Sequence, residues 1–330
     1  MTPSRKAVWA LAATTVLWGS TFVIVRELVA PPSQGAPFPP HLLLALRFAI
    51  AAAILFGVLF VKKQRVSPQA WSRGAVLGAL VCGGFAFQTV GLQHTTSAHS
   101  AFITNTSLLM IPFFGIALGR RWPGAATFLG LLFALGGLWL LEFPFDLRAD
   151  LLPPGAATQE AMIRGDLLTL GCAVCFAFQI LATESFSPKT DLLSLVFVQF
   201  LTSAAIGTGL SLGFGELSQE IPLPGGAAAV MSGVVYLGAI CTAGCLLVQA
   251  WAQRYTSATR AAMIFALEPI VATALAYFVL NERLTAVQIV GALLVLFGIL
   301  ATEILASRGT AHDDSMRPLA PAVYDEEIRA

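Results

Sequence analysis

Charge is what this chain lacks. Of its 330 residues only 11% are Asp, Glu, Lys or Arg, against about 25% in soluble domains. Hydrophobic residues make up 57% and the mean hydropathy is +0.79, which is the composition of a membrane protein. A net charge of +1, with no basic stripe interleaved with aromatics, excludes a nucleic-acid partner. Histidine is scarce, and no His or Cys pair stands at metal-ligand spacing beside Cys172 and Cys175, so that CxxC is two ligands short of a zinc site. All five cysteines (Cys82, Cys172, Cys175, Cys241, Cys245) fall in apolar runs, which excludes a secreted disulfide framework. The chain also has no Gly-rich phosphate loop with its Lys-Ser/Thr ending. No Ser-His or two-carboxylate constellation is visible either. Neither an enzyme nor a nucleotide-driven pump is expected, and no catalytic residue, metal or cofactor.

What is present is a succession of long apolar runs. A spanning helix needs about 20 mainly apolar residues, and ten segments qualify: 7–29, 41–62, 73–93, 96–118, 123–142, 166–185, 191–213, 227–250, 256–280 and 285–306. The first run continues to Val25 without a cleavage signature, so it reads as an uncleaved helix. Trp9, Trp71, Trp122, Trp139 and Trp251 lie near span ends, as an interfacial belt requires. Trp18 lies mid-span. Residues 307–330 lose the apolar pattern and read as a disordered tail. With the N-terminus inside, only Arg26, Arg47, Arg148, Arg164 and Arg283 fall on or near the outer side, leaving 14 of the 19 basic residues on the cytoplasmic side. That bias predicts both termini inside.

The halves resemble each other. "TSAHSAFI" (96–103) matches "TSATRAAM" (256–263), and Gly130 and Gly137 recur as Gly291 and Gly298. Five spans per half force the second half to enter from the opposite side, giving inverted repeats. The predicted fold is therefore an all-α integral membrane protein of ten helices in two inverted five-helix repeats. The first repeat is 1–142, an external acidic loop is 143–165, the second repeat is 166–306 and the cytoplasmic tail is 307–330. Such repeats argue for alternating access about a central site, hence transport.

The sequence also resembles the drug/metabolite transporter superfamily, EamA-type permeases, over about residues 7–306. The likeness rests on "LWGSTFV" (17–23), "LALRFAIAA" (44–52), "SAHSAFITNTSLLMIPFF" (97–114), "GDLLTLGCAVCFAFQ" (165–179), "ALEPIVATALAYFVLNERLT" (266–285) and "GALLVLFGIL" (291–300). It departs at Phe176, where the family often carries Trp. The resemblance implies ten helices, a bacterial inner-membrane location and export of small metabolites such as amino acids. A channel-like facilitator is the alternative, with a membrane-embedded enzyme behind it. The expected partners are a small-molecule solute, the bilayer and a proton if Glu268 titrates, with a monomer or weak dimer as the assembly.

Polar residues inside spans are the candidate site. Glu268 lies about 18 Å into its span at 1.5 Å per residue, where a charge costs roughly 2 kcal/mol or more. Pro269 leaves the Phe265 carbonyl without its helical donor, so a kink is expected. Glu268 and Pro269 suit a structural or gating role, a solute contact or proton coupling. Arg47, at similar depth, is the candidate partner charge for Glu268. Trp18, Gln88, Asn105, Phe176, Gln179 and Gln249 fall in the middle third of their spans, and apolar walls with a few amides suit an amphipathic solute. His94 and His99 flank the turn between the third and fourth spans. Gly78, Gly83, Gly84, Gly130 and Gly137 permit close helix approach.

Overall fold

In the computed structural model the described residues are 3–29, 37–95, 97–119, 124–142, 159–218, 220–223, 225–271, 273–274 and 285–308. All regular structure among them is helical. The helices are α1 (Pro3–Val29), α2 (Pro40–Val61), α3 (Pro68–Gly91), α4 (Ser97–Asn105), α5 (Ser107–Ala117), α6 (Ala125–Glu142), α7 (Gln159–Phe186), α8 (Leu192–Gly213), α9 (Ala227–Val235), α10 (Cys245–Ala252), α11 (Ala258–Phe265) and α12 (Ala286–Arg308), with a π-helical stretch Tyr236–Gly244 joining α9 to α10. Seven stretches are long and apolar enough to cross a bilayer, and Thr127–Leu141 and Ala286–Thr302 are shorter apolar helices. Half or more of the surface of Phe56, Phe60, Leu129, Leu293 and Phe297 is exposed. With so many large apolar groups facing outward, the surrounding medium has to be lipid rather than water.

The starts and stops follow local chemistry. Pro40 and Pro68 open α2 and α3, where a missing N–H is not needed. Asp191 caps α8 by accepting from Ser194 N at 2.8 Å, and Ser257 caps α11 by accepting from the Arg260 N–H. At the start of α2, Glu216 accepts from Leu42 N at 2.8 Å and from His41 N, while His41 Nδ1 lies 2.7 Å from the same carboxylate. Carboxylate oxygens at a helix N-terminus satisfy its orphan donors.

Two spans are interrupted. The fourth divides at Thr106, between α4 and α5, where Thr106 N bonds back to Ile103 O. The ninth divides after Phe265, where Leu267 N bonds to Ile264 O before helical geometry resumes at 268. The expected kink at Pro269 is therefore a break placed just before Glu268. The ninth span, taken as 256–280, runs beyond the described residues after 274. So do Trp122, most of the 143–165 loop, the Asn-Glu-Arg run at 281–283 and the tail after 308.

Helix packing brings the halves together face to face. α2 packs on α8, α6 on α12, and α5 on α11. α3 packs on α7 and α8, whereas α1 packs on α10 and α11, and α2 on the π-helical stretch. The α6–α12 contact is a glycine seam. A Cβ built on Gly137 would meet the Gly291 carbonyl at 2.5 Å, and one on Gly298 would meet the Gly130 carbonyl at 2.6 Å. Gly130 meeting Gly298 while Gly137 meets Gly291 makes the two helices antiparallel.

Candidate functional site

One cavity opens between α1, α3, α4, α5, α7, α10 and the broken ninth span. Its wall contains Trp18, Gln88, Asn105, Phe176, Gln179, Gln249 and Glu268. The six residues picked for solute contact thus share one space, and Glu268 shares it with them. The rest of the wall was not singled out from sequence: Thr21, Phe22, Val81, Phe85, Thr104, Ser107, Ile180, Leu246 and Phe265.

Each polar group in the wall is held by a definite element. The Trp18 indole N–H donates to the Cys241 carbonyl at 2.9 Å. That carbonyl belongs to the π-helical stretch, whose five-residue spacing is seen in the Thr242 hydroxyl donating to Leu237 O at 2.7 Å. A π-bulge changes which carbonyls are free, and such bulges frequently mark functional sites. The Trp18 ring then meets Phe265 edge-on, with centroids 5.2 Å apart. Phe176 meets Phe85 edge-on at 5.1 Å and lies so close to Gly84 that a Cβ there would stand 2.6 Å from the ring.

The amides form a chain. Gln249 Nε2 donates to Gln179 Oε1 at 3.2 Å and to Gln253 Oε1 at 3.1 Å. Gln253 in turn donates to Ile180 O at 3.0 Å, and Gln179 donates to the Thr183 hydroxyl at 3.0 Å. α7 and α10 are thereby stitched together from the cavity toward their C-terminal ends, where Arg254 donates to Thr190 O at 2.7 Å. Across the cavity, Gln88 Nε2 donates to the Thr104 hydroxyl at 3.3 Å. Asn105 caps its own break by donating to Ala101 O at 2.9 Å.

Glu268 differs from these amides. No hydrogen bond or ion pair reaches its carboxyl group among the described residues, and it is the one acidic side chain in the cavity wall. The pairing with Arg47 expected from depth is not made. Arg47 Nε donates to the Thr242 hydroxyl at 2.9 Å, and its guanidinium lies over the Phe85 ring, 4.2 Å from the centroid. The physical reason is azimuth. Two residues at one depth meet only if their helices turn them toward each other, and Arg47 faces α3 and the π-helical stretch. Of the turn histidines, the side chain of His99 is outside the described residues. Burial, reinforced by Arg164, holds the His94 imidazole below its ordinary value.

Set against known proteins, the chain matches the model of the EamA-like transporter family twice, at residues 5–143 and 163–303. It is 28% identical over 298 residues to an uncharacterized transporter of Archaeoglobus fulgidus, covering 89% of this chain and 84% of that one. It is 22% identical over 307 residues to YoaV, an uncharacterized transporter of Bacillus subtilis, covering 92% and 98% of the two chains. A solved crystal structure aligns over 92% of this chain and 99% of its own, with a TM-score of 0.72 at 18% identity, a likeness of fold.

Proposed function

The chain belongs to the EamA-like transporter family, a multi-pass membrane transporter and not an enzyme, and on that premise we propose that it exports small amphipathic metabolites by alternating access. Amino acids and their relatives are the solutes proposed, with the cavity as their site. The arrangement is ten helices in two inverted repeats, 1–142 and 166–306, joined by the 143–165 loop outside and followed by a cytoplasmic tail at 307–330. It sits in a bacterial inner membrane with both termini inside, as a monomer or weak dimer. Glu268 and Pro269 couple or gate the movement.

One observation carries this reading: twelve of the sixteen wall residues form six pairs at the offsets of the proposed repeats, while Val81 has no counterpart there. Trp18, Thr21 and Phe22 stand 158 residues before Phe176, Gln179 and Ile180, and Phe85 and Gln88 stand 161 before Leu246 and Gln249. Asn105 stands 160 before Phe265. A site drawn from both halves alike lies on the axis relating them, where an exchange of conformation between the halves exposes it first to one side and then to the other. The helix contacts support the same relation. The packing of α3 on α7 has its counterpart in α10 on α1, and that of α3 on α8 in the π-helical stretch on α2.

The test is purified protein in liposomes, screened with radiolabelled amino acids with and without a pH gradient. Saturable flux of at least one, accelerated by the same solute on the opposite side, is the expected result. Flux that never saturates, with no counterflow, would replace the transporter by a channel-like facilitator. A gradient effect lost in Glu268→Gln with exchange intact would assign Glu268 to proton coupling.

A further inference from the structure

Arg47 is a buried cation without a counter-charge. It is 1% exposed, and it pairs with no carboxylate among the described residues. Its one side-chain hydrogen bond runs from Nε to the Thr242 hydroxyl, whose own proton is committed to Leu237 O. With its proton given to Leu237 O, the Thr242 oxygen acts as an acceptor for Arg47. One guanidinium nitrogen, Nη2, is buried with no hydrogen-bond partner among the described residues. Burying a guanidinium with an empty donor is strongly unfavourable, and stacking on an aromatic face offsets only part of that. An anion reaching Nη2 would offset the rest of that cost.

Phe85 decides where the anion would come from. One face of its ring covers the guanidinium at 4.2 Å, while the same residue forms part of the cavity wall. Arg47 itself is not in that wall, so the cation stands one ring behind it. Phe85 is packed edge-on to Phe176, which also faces the cavity. Displacing the Phe85 ring toward Phe176 would open the guanidinium face to the cavity.

We propose that Arg47 is an anion-binding subsite of the solute cavity, covered by Phe85 in this conformation, and that it takes the carboxylate of a zwitterionic solute whose ammonium faces Glu268. The inference rests on the cavity being the solute site and deepens it. The two charges then need no contact with each other, since the solute lies between them. It also names the class: amphipathic zwitterions, recognised at both ends, with monocarboxylates as partial ligands.

Three probes sharing one ring separate the ends: L-phenylalanine, phenethylamine and 3-phenylpropionate. Binding to the purified full-length chain is measured by titrating the rise in its unfolding temperature. We expect Arg47→Gln to weaken L-phenylalanine and 3-phenylpropionate at least tenfold while phenethylamine stays within twofold. Glu268→Gln should do the converse, weakening phenethylamine and sparing 3-phenylpropionate. If Arg47→Gln does not fold, Phe85→Leu provides the second reading. Removing the cover should tighten 3-phenylpropionate severalfold, and unchanged affinity would overturn the subsite. It is likewise overturned if the parent fails to bind 3-phenylpropionate or if Arg47→Gln weakens all three probes alike. Failure of the phenethylamine arm alone would refute the assignment of Glu268 and leave the anion subsite standing.

Discussion

Glu268 stands in the cavity wall with no partner among the described residues, and we propose it as the chemical centre of the site. We expect Glu268→Ala to reduce transport at least tenfold. Glu268→Gln should retain part of it if the residue positions helices, and should lose only gradient-driven export if it carries protons. Both are read by flux in liposomes, and parental activity in both variants would remove Glu268 from the mechanism. A second expectation concerns Trp18. Trp18→Phe keeps the ring against Phe265 but gives up the hydrogen bond to the Cys241 carbonyl, a loss of about 1 kcal/mol visible as a few degrees in thermal unfolding. An unchanged unfolding temperature would mean that this bond does not tie α1 to the π-helical stretch. The amides and the carboxyl of the wall were legible in the sequence because such groups at mid-span have to face the bundle interior, whereas the hydroxyls of Thr21, Thr104 and Ser107 were not. Val81, Phe85, Ile180 and Leu246 were not, because the same residue types also face lipid. Arg47 was misread because depth along a helix says nothing of the direction in which a side chain leaves it.

Helices are where the sequence spoke most clearly and also where it was blurred. Boundaries at Pro40, Pro68 and Gly213 lie within a few residues of those expected from the apolar runs. A kink was expected at Pro269 from the missing N–H and the break lies just before it, at 266–267, but the break at Thr106 has no proline beside it. The Thr-Asn-Thr-Ser run at 104–107 was its only signal, as hydroxyl and amide side chains compete for backbone partners. The π-helical stretch has no sequence signature at all, since it depends on what packs beside it. The glycine seam gives a sharp test at this level. Gly137→Leu places a side chain where a Cβ already stands 2.5 Å from a carbonyl of α12, so the helices must separate. We expect a loss of about 1–3 kcal/mol or more in detergent unfolding. The control is Gly136→Ala one residue away, where a Cβ meets nothing within 4 Å and no loss is expected. Equal effects from both would mean that α6 and α12 are not held by this seam.

At the scale of the molecule, the family model matches the chain twice, and the proposed repeats meet at the cavity. The repeat was visible in short matches, 96–103 with 256–263, and in the glycine intervals. The equivalence of Gln88 with Gln249 emerged only when both were seen in one wall, because the surrounding residues have diverged. The placement of Lys and Arg predicts that both termini lie inside. In a variant lacking the five native cysteines, a single cysteine at Gly155 should react with an impermeant thiol reagent added outside, and one at Gln64 should not. The reverse pattern would invert the topology. The most direct measurement uses the same background with Ser107→Cys, in the cavity wall, in liposomes of known orientation. We predict that this one position reacts with impermeant reagent supplied from either side, at rates that a transported solute slows on both. Reaction from one side only, whatever the solute, would contradict alternating access through this cavity.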